Sequence, residues 1–498
     1  METDVLIIGS GMGGATLAAG LAPTGARITI LERGQRLQDT AAARDANAIF
    51  GQGIFRNDET WEDATGQSFN PGNYYYVGGN SKFYGAVLFR YRAEDFGELH
   101  HMGGTSPAWP ITYDEFEPWY QKAEALYEVR GAEGEDPSEP PHSNTYAFAP
   151  VPHEPVIEDA ARRLAAAGVT PAHLPLGVDI DTWLAGGKTG WDAHPNTGDG
   201  KKDAESIGLK AALRNSSVSL HTGCEVSRLE TTPDGRISSV EYRQGNRSHR
   251  ARAKVVVLSA GAVNSAALLL RSANENCPTG LANRSDQIGR NFMNHNTHAL
   301  MALHPLRRNH SVYQKTLYFN DFYLTGGPAH EPLGNVQLLG KITAEILSSQ
   351  IALPRALAQW IATRSIDWYL MSEDLPHPDS RVTVKGERIV LDWRRSNWET
   401  HLLLVKRVKK LLRQAGWPIL LSRAFDRTVP SHQCGTVRFG ADPRKNPLDI
   451  WCRAHDHPNL FVVDASFLPN SAAVNPALTV AAQALRVADH IAQTDLAA

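Results

Sequence analysis

The run Val5-Leu6-Ile7-Ile8 delivers the chain directly into Gly9-Ser10-Gly11-Met12-Gly13-Gly14, and no other segment constrains the fold as tightly. Four apolar, largely β-branched residues are too few for a helix and have no polar face. They read as a strand buried on both faces of a parallel sheet. Gly9, Gly11 and Gly14 then satisfy G-x-G-x-x-G. In that pattern the first glycine permits the tight turn, the second lets backbone approach a pyrophosphate, and the third lets the helix lie close on the sheet. Ala15-Thr16-Leu17-Ala18-Ala19 supplies a helix whose N-terminus can face phosphate. Arg27-Ile28-Thr29-Ile30-Leu31 reads as a second strand ending at Glu32, a carboxylate spaced to accept hydrogen bonds from an adenosine ribose. The pattern predicts a dinucleotide site without choosing between FAD and NAD.

Length and charge narrow the class. A chain of 498 residues exceeds one comfortable core, so two domains or one large composite is expected. A net charge of −3 lacks the basic footprint of a nucleic-acid binder. The main basic run, Lys406, Arg407, Lys409, Lys410 and Arg413, is interleaved with Leu402, Leu403, Val405, Val408, Leu411 and Leu412 at helical spacing, which predicts a solvated helix face. Cys224, Cys277, Cys434 and Cys452 are far apart and form no C-x-x-C pair, so reduced thiols are expected rather than a disulfide framework or a zinc site. The nucleotide motif begins within a few residues of Met1, leaving no room for a cleavable leader, and no apolar stretch approaches the roughly 20 residues that span a bilayer. The expectation is a cytoplasmic protein with no nucleic-acid or membrane partner.

Beyond the opening unit, Gln35 to Gly85 is rich in turn residues and has little periodicity. Thr112 reads as the cap of a helix starting Tyr113-Asp114-Glu115 and running to the region of Val129. Residues 137–155 read as a surface connection. Strand patterns return at 218–220, 225–229, 237–242 and 254–259, and the last leads into Ala260-Gly261-Ala262 and an apolar helix at 266–270.

Four ordered blocks carry a family resemblance: GSGMGG, then VGGNSKFYG at 77–85, then LSAGAVNSAALLLRS at 258–272, and finally HQCGT at 432–436 with NLFVVDASFLPNSAAVNPALT at 459–479. The chain resembles the glucose–methanol–choline (GMC) oxidoreductases over nearly its whole length. The resemblance implies an α/β fold in which a discontinuous Rossmann-like FAD-binding domain (1–110, 205–300, 425–498) joins a sheet-plus-helix substrate domain (111–204, 301–424). It implies that Gly78, Gly79, Asn80 and Ser81 lie along the flavin and pyrophosphate, that Ala260 and Gly261 lie near the adenosine, and that Val226 meets adenine through its backbone. It likewise places Asp464 and Ala465 in the C-terminal flavin-contacting segment, with Asn475 and Thr479 beside the cofactor. His432 matches the family's catalytic histidine. Asn475 stands where relatives carry histidine or asparagine. Relatives that attach FAD covalently use a histidine in the flavin loop, where this chain has Lys82-Phe83-Tyr84, so FAD is expected to be non-covalent. The His/Asn pairing is most similar to pyranose oxidases and bacterial glycoside 3-oxidases.

The chemistry suits these residue types. Oxidising an alcohol removes a hydroxyl proton and transfers a carbon-bound hydride to flavin N5. Histidine can accept the proton near neutrality, whereas an amide can only orient the hydroxyl. The expected activity is oxidation of a secondary hydroxyl of a sugar or glycoside, at C3 of the pyranose and including C-glycosides, with O2 (giving H2O2) or another acceptor taking the electrons. The alternatives are oxidation of an alcohol on an aminoglycoside or other natural product and, from another class, a flavin-containing hydroxynitrile lyase. Metal binding is not expected: His455-Asp456-His457 reads as a solvated turn, and His295 and His298 have no acidic or cysteine partner nearby in sequence. His100-His101 supports no assignment. Tyr74-Tyr75-Tyr76 fits cavity lining or packing under a loop equally well. Gln337, Lys341 and the aromatics near Tyr318 are unranked pocket candidates.

Overall fold

Strands that lack a polar face need cover on both sides, and the N-terminal strand obtains it at the centre of a seven-stranded sheet. The computed structural model describes residues 1–187, 193–429 and 432–497. Glu2–Ile8 pairs in parallel with Ile28–Leu31 on one side and with Arg247–Leu258 on the other. Val218–His221 extends the sheet beyond Ile28–Leu31, and Leu460–Val462 joins Arg247–Leu258, both in parallel. The first half of Arg247–Leu258 continues as an antiparallel ribbon with Ile237–Gln244 and Cys224–Thr231. The helix Met12–Leu21 follows the glycine turn, and the C-terminal helix Ala477–Thr494 packs so closely on it that a Cβ on Gly20 would stand 2.7 Å from that of Ala488. The expected α/β architecture with a Rossmann-like unit is what the chain adopts.

A second sheet is antiparallel throughout, in the order Ile419–Ala424, Asn296–Leu303, Ser365–Ser372, Asn335–Leu338, Leu317–Phe319 and Ala172–His173. Alternation along each strand sorts its faces. Leu300, Ala302, Val336, Leu338 and Trp368 point into a core shared with the helices Pro155–Ala166 and Trp398–Gln414. Asn335 and Gln337 therefore point the other way. Thr112 caps the helix Tyr113–Leu126 by accepting from the Glu115 N–H at 3.3 Å, while the Glu115 carboxylate accepts from the Thr112 N–H at 2.8 Å, the reciprocal cap its sequence predicts.

Three local readings need correction. Between Gln35 and Gly85 the chain forms Trp61–Asp63 and Ser68–Phe69, which complete a four-stranded sheet with Arg381–Lys385 and Arg388–Asp392. Trp61 and Phe69 anchor that sheet through an edge-on contact that short strands give no periodicity to reveal. His457 is not in a solvated turn. It is buried, with Nε2 accepting from the Ala282 N–H at 2.9 Å and Nδ1 donating to the Gly235 carbonyl at 2.7 Å. On the basic helix, Leu404, Val405, Val408, Leu411 and Leu412 are buried as the spacing requires, but Leu402 faces solvent. Among the described residues, no helix is long and apolar enough to cross a membrane.

Candidate active site and dinucleotide cradle

The carboxyl ends of the parallel strands meet at one edge, where open α/β sheets bind ligands. Four glycines divide the work there. Gly9 has φ +99°, and a Cβ would lie 2.2 Å from the Ser259 carbonyl oxygen, so it makes the turn beneath the neighbouring strand. A Cβ on Gly14 would come within 2.1 Å of the Gly9 carbonyl, and one on Gly13 within 1.8 Å of the Val463 carbonyl. Only Gly11, the N-cap of Met12–Leu21, faces open space, with nothing within 4 Å of an added Cβ. Close approach to pyrophosphate demands such a gap at the positive end of a helix dipole.

Glu32 is buried at the end of its strand. Its Oε2 accepts from both the N–H (2.9 Å) and the hydroxyl (2.5 Å) of Ser10, and its Oε1 accepts from the Gly34 N–H (2.7 Å). Oε1 keeps a lone pair with which to meet a ribose hydroxyl. Burial pushes the carboxyl pKa up, opposed by the hydrogen bonds from Ser10 and Gly34. The same Ser10 hydroxyl accepts from the Gly78 N–H at 3.0 Å, which fastens the 78–81 loop over the turn. Gly79 lies against it, its absent Cβ only 3.6 Å from the Gly11 Cα. Ser81 donates to the Gly78 carbonyl at 2.6 Å, and Asn80 accepts from the Tyr74 N–H at 2.9 Å. Lys82 is buried between Glu205 (2.8 Å) and Asp203 (3.1 Å).

Ala260 and Gly261 follow Arg247–Leu258 at the same edge. Buried Asp464 ties them to the C-terminal segment, accepting from the Gly261 N–H at 3.0 Å and the Ser265 hydroxyl at 2.5 Å. The Ala465 carbonyl accepts from the Gly435 N–H at 3.2 Å, which seats the HQCGT block against that segment. Val226 lies two residues beyond Cys224, whose N–H donates to the Glu32 carbonyl at 2.9 Å. Thr479 sits in the first turn of Ala477–Thr494 with its hydroxyl 2.8 Å from that of Tyr120. Tyr74 stacks on Phe83 at 3.7 Å and Tyr75 lies under Arg33 at 4.1 Å, so both serve loop packing.

His432 and Asn475 stand together, with Asn475 Nδ2 donating to His432 Nε2 at 3.2 Å. Burial lowers the His432 pKa well below the ordinary histidine value, and the nearby His295 and Lys315 lower it further. Two residues absent from the sequence reading of this pair join it. His295 Nδ1 lies 2.8 Å from His432 Nδ1, and Gln337 Nε2 donates to Asn475 Oδ1 at 2.9 Å. Met293 and Cys434 exchange two backbone hydrogen bonds of 3.0 Å. In that antiparallel bridge, residues two positions away on either strand stand opposite each other, which sets His295 against His432. Gly435 allows the approach: at φ +87° its Cβ would lie 2.4 Å from Met293 Cε and 2.5 Å from the Asn291 carbonyl. His432 itself has φ +71°, a left-handed conformation that costs a side-chain-bearing residue about 1 to 2 kcal/mol. Lys341 is not part of this site. It donates to the Ala362 and Ser365 carbonyls (2.5 and 2.8 Å) and supports the far end of its sheet. His298 pairs with His401 at 2.8 Å on the helix-covered face.

The cradle therefore fits a dinucleotide, with open space at Gly11 alone among the four motif glycines, a free carboxylate lone pair at the second strand and a histidine–amide pair on an adjoining loop. Comparison with known proteins agrees. Residues 4–283 match the family of FAD-dependent oxidoreductases, and residues 376–484 match the C-terminal GMC oxidoreductase family. The chain is 30% identical to a 6'''-hydroxyparomomycin C oxidase of Streptomyces lividus, covering 98% of this chain and 92% of the relative. It is 29% identical to a paromamine 6'-oxidase of Streptomyces fradiae, covering 98% and 91%. A crystal structure of pyridoxine 4-oxidase from Mesorbium loti shares the fold, with a TM-score of 0.65 at 20% identity and 99% coverage of both chains.

Proposed function

We propose that this chain, which belongs to the GMC family of FAD-dependent oxidoreductases, oxidises a hydroxyl group on a sugar unit to a carbonyl. The observation that carries the reading is the 3.2 Å contact between Asn475 Nδ2 and His432 Nε2 at the edge of the dinucleotide cradle. Bound in that cradle, FAD supplies the flavin N5 that receives hydride. Gly11 gives the pyrophosphate backbone access, Glu32 takes a ribose hydroxyl, and Val226 meets adenine. The 78–81 loop, Ala260, Gly261, Asp464, Ala465 and Thr479 frame the remainder. His432 Nε2 accepts the substrate's hydroxyl proton. Its lowered pKa keeps it neutral, and so able to act as a base, at physiological pH. Asn475 holds the hydroxyl in line through its amide.

The first regiochemistry we assign is the secondary C3 hydroxyl of a pyranose, in a free sugar or a glycoside. The names of the two Streptomyces relatives, each similar over 98% of this chain, favour a second: the 6-position alcohol of an aminoglycoside. FAD is held without a covalent bond, because loop 78–85 carries no histidine and Lys82 is engaged by Glu205 and Asp203. O2, giving H2O2, or another acceptor would take up the electrons. The parallel sheet with its N- and C-terminal segments forms the cofactor domain, and the antiparallel sheet with its helices forms the substrate domain. Anaerobic mixing of the yellow protein with monosaccharides, O- and C-glycosides and aminoglycosides tests the reading. One class should bleach the flavin, and product analysis then fixes the carbon. His432→Ala should slow bleaching at least ~100-fold, the lower range for loss of a general base. No bleaching by any sugar-bearing compound would refute it.

A further inference from the structure

His295 lies among Asn294, Asn296 and Thr297, a polar stretch with nothing in its spacing to mark it. In the fold its ring is wedged between backbone and His432. Its Nε2 stands 2.9 Å from the Ser471 carbonyl oxygen and 2.6 Å from that of Ala472. A carbonyl only accepts, so Nε2 carries hydrogen. The ring is buried, which disfavours its charged form, so Nδ1 is left as a bare lone pair. Facing it at 2.8 Å is His432 Nδ1. That atom must therefore carry hydrogen, and the lone pair of His432 resides on Nε2.

A second chain of hydrogen bonds reaches the same atom from the other sheet. Arg92 holds the buried Asp136 carboxylate at 2.5 Å, and a carboxylate only accepts. Asn320 Nδ2 donates to Asp136 at 2.9 Å, Asn335 Nδ2 donates to Asn320 Oδ1 at 2.8 Å, and Gln337 Nε2 donates to Asn335 Oδ1 at 2.9 Å. Each amide orientation is thus dictated by the one before it. The second hydrogen of Gln337 goes to Asn475 Oδ1, which turns the Asn475 amino group toward His432 Nε2. Two anchors, backbone carbonyls on one side and a carboxylate on the other, require the same bare Nε2.

We propose that His295 is a positioning residue that holds His432 in its Nδ1–H tautomer, so that the Nε2 lone pair, which meets the Asn475 amide at 3.2 Å, is the one that takes the substrate proton. This rests on the assignment of His432 as base under the proposed function. The balance is simple: the hydroxyl proton passes to His432 Nε2, the carbon-bound hydrogen leaves with its electron pair to the bound flavin, and the alcohol carbon becomes a carbonyl. The imidazolium then formed keeps its Nδ1–H directed at His295, which is backed by two carbonyl dipoles. His432 at φ +71° and Ala472 at φ +47° flank His295, so backbone strain is concentrated where the ring is held.

The test uses the flavin-loaded protein and a sugar-bearing compound that bleaches it. His295→Leu removes the acceptor, whereas His295→Gln supplies an amide oxygen for His432 Nδ1 and an amino group for the two carbonyls. We expect limiting flavin reduction to fall ~100-fold in His295→Leu and to return to within ~10-fold of wild type in His295→Gln, the span associated with a misplaced or mis-tautomerised base. Because a tautomer does not titrate away, the loss in His295→Leu should persist at pH 9. Independently of turnover, 15N-histidine spectra of the wild-type holoprotein should show His432 with hydrogen on Nδ1, its signal identified by its loss in His432→Gln. That spectrum also decides the matter if His295→Leu fails to retain flavin. Hydrogen on Nε2, full reduction by His295→Leu, recovery of that variant at high pH, or no rescue by His295→Gln in flavin-replete protein would each overturn the assignment. Normal reduction by His432→Ala would instead refute the reading beneath it.

Discussion

Gly11 and Gly13 are two residues apart in one motif, yet the structure gives them opposite duties that substitution by alanine should separate. On Gly13 the new Cβ would sit 1.8 Å from the Val463 carbonyl oxygen, short of the 3.4 Å at which ordinary contact begins by about 1.6 Å, and 2.8 Å from Ser259 Oγ. The obstacle is backbone of the parallel sheet, which cannot rotate aside, so the helix Met12–Leu21 must move off it. Overpacking of this kind costs about 1 to 3 kcal/mol, and a rigid backbone partner puts Gly13→Ala at about 3 kcal/mol or above. For a chain of this size that lowers the melting temperature by several degrees. On Gly11 the Cβ meets nothing, and φ −69°, ψ −169° suits any residue. Lower unfolded-state entropy (about 0.4 to 1 kcal/mol gained) and a poorer N-cap (a loss of similar size) then nearly cancel. The methyl group instead occupies the gap proposed for the pyrophosphate. Gly11→Ala should leave the melting temperature of the apoprotein unchanged and weaken FAD binding at least tenfold, or about 1.4 kcal/mol. Titration of apoprotein with FAD, beside thermal unfolding with and without it, reads both quantities. Wild-type FAD affinity in Gly11→Ala, or equal destabilisation of the two apoproteins, would refute the division of roles.

Two further outcomes follow from the site. The rate of flavin reduction should be flat from pH 7 to 9 and should fall only well below about 6.5, the ordinary histidine value. As the proposed base His432 acts when neutral, and burial, with His295 and Lys315 nearby, depresses its pKa; an inflection between pH 7 and 8.5 in stopped-flow traces would contradict this. Gly435→Ala would bring a Cβ within 2.5 Å of both Met293 Cε and the Asn291 carbonyl, at a φ of +87°. It should break the Met293–Cys434 bridge and slow flavin reduction well beyond any loss of flavin content, which comparing the two in one preparation would check.

What the sequence disclosed depended on how local each signal was. The strand–turn–helix of residues 2–21, the second strand ending at Glu32 and the cap at Thr112 are dictated by residues within a few positions of one another. Their patterns can therefore be read directly. Gly13 carries no local signal, because its obligation is to Val463, a residue at the far end of the chain. His295 and His432 are 137 positions apart and meet only through the register of a two-residue bridge. No periodicity signals a bridge that short. His457 reads as turn polarity in sequence because its partners, Ala282 and Gly235, are likewise distant along the chain. Gln337 could be named as a candidate but not ranked, since its worth depends on which face of Asn335–Leu338 turns inward. That is settled by the helices covering the other face.

The same face alternation separates the residues that hold the site from those that hold the fold. The cradle is built from backbone: glycine turns, strand ends and N–H groups held by Ser10, Glu32 and Asp464, where few side chains could be exchanged without moving a main chain. The base pair is held from outside that sheet, by Gln337 and the amide ladder leading to Asp136. Along Asn335–Leu338, the residues that carry stability are Val336 and Leu338, and those facing Asn475 are Asn335 and Gln337. Tyr369 stands directly opposite Gln337 on the neighbouring strand. Substitution at Asn335 or Gln337 would therefore cut the ladder to Asn475 while leaving the core shared with Pro155–Ala166 and Trp398–Gln414 intact. A ladder of neutral amides also orients Asn475 without placing a charge beside it. The charges that fix its direction, Arg92 and Asp136, remain paired at the far end, several side chains from the reacting atoms.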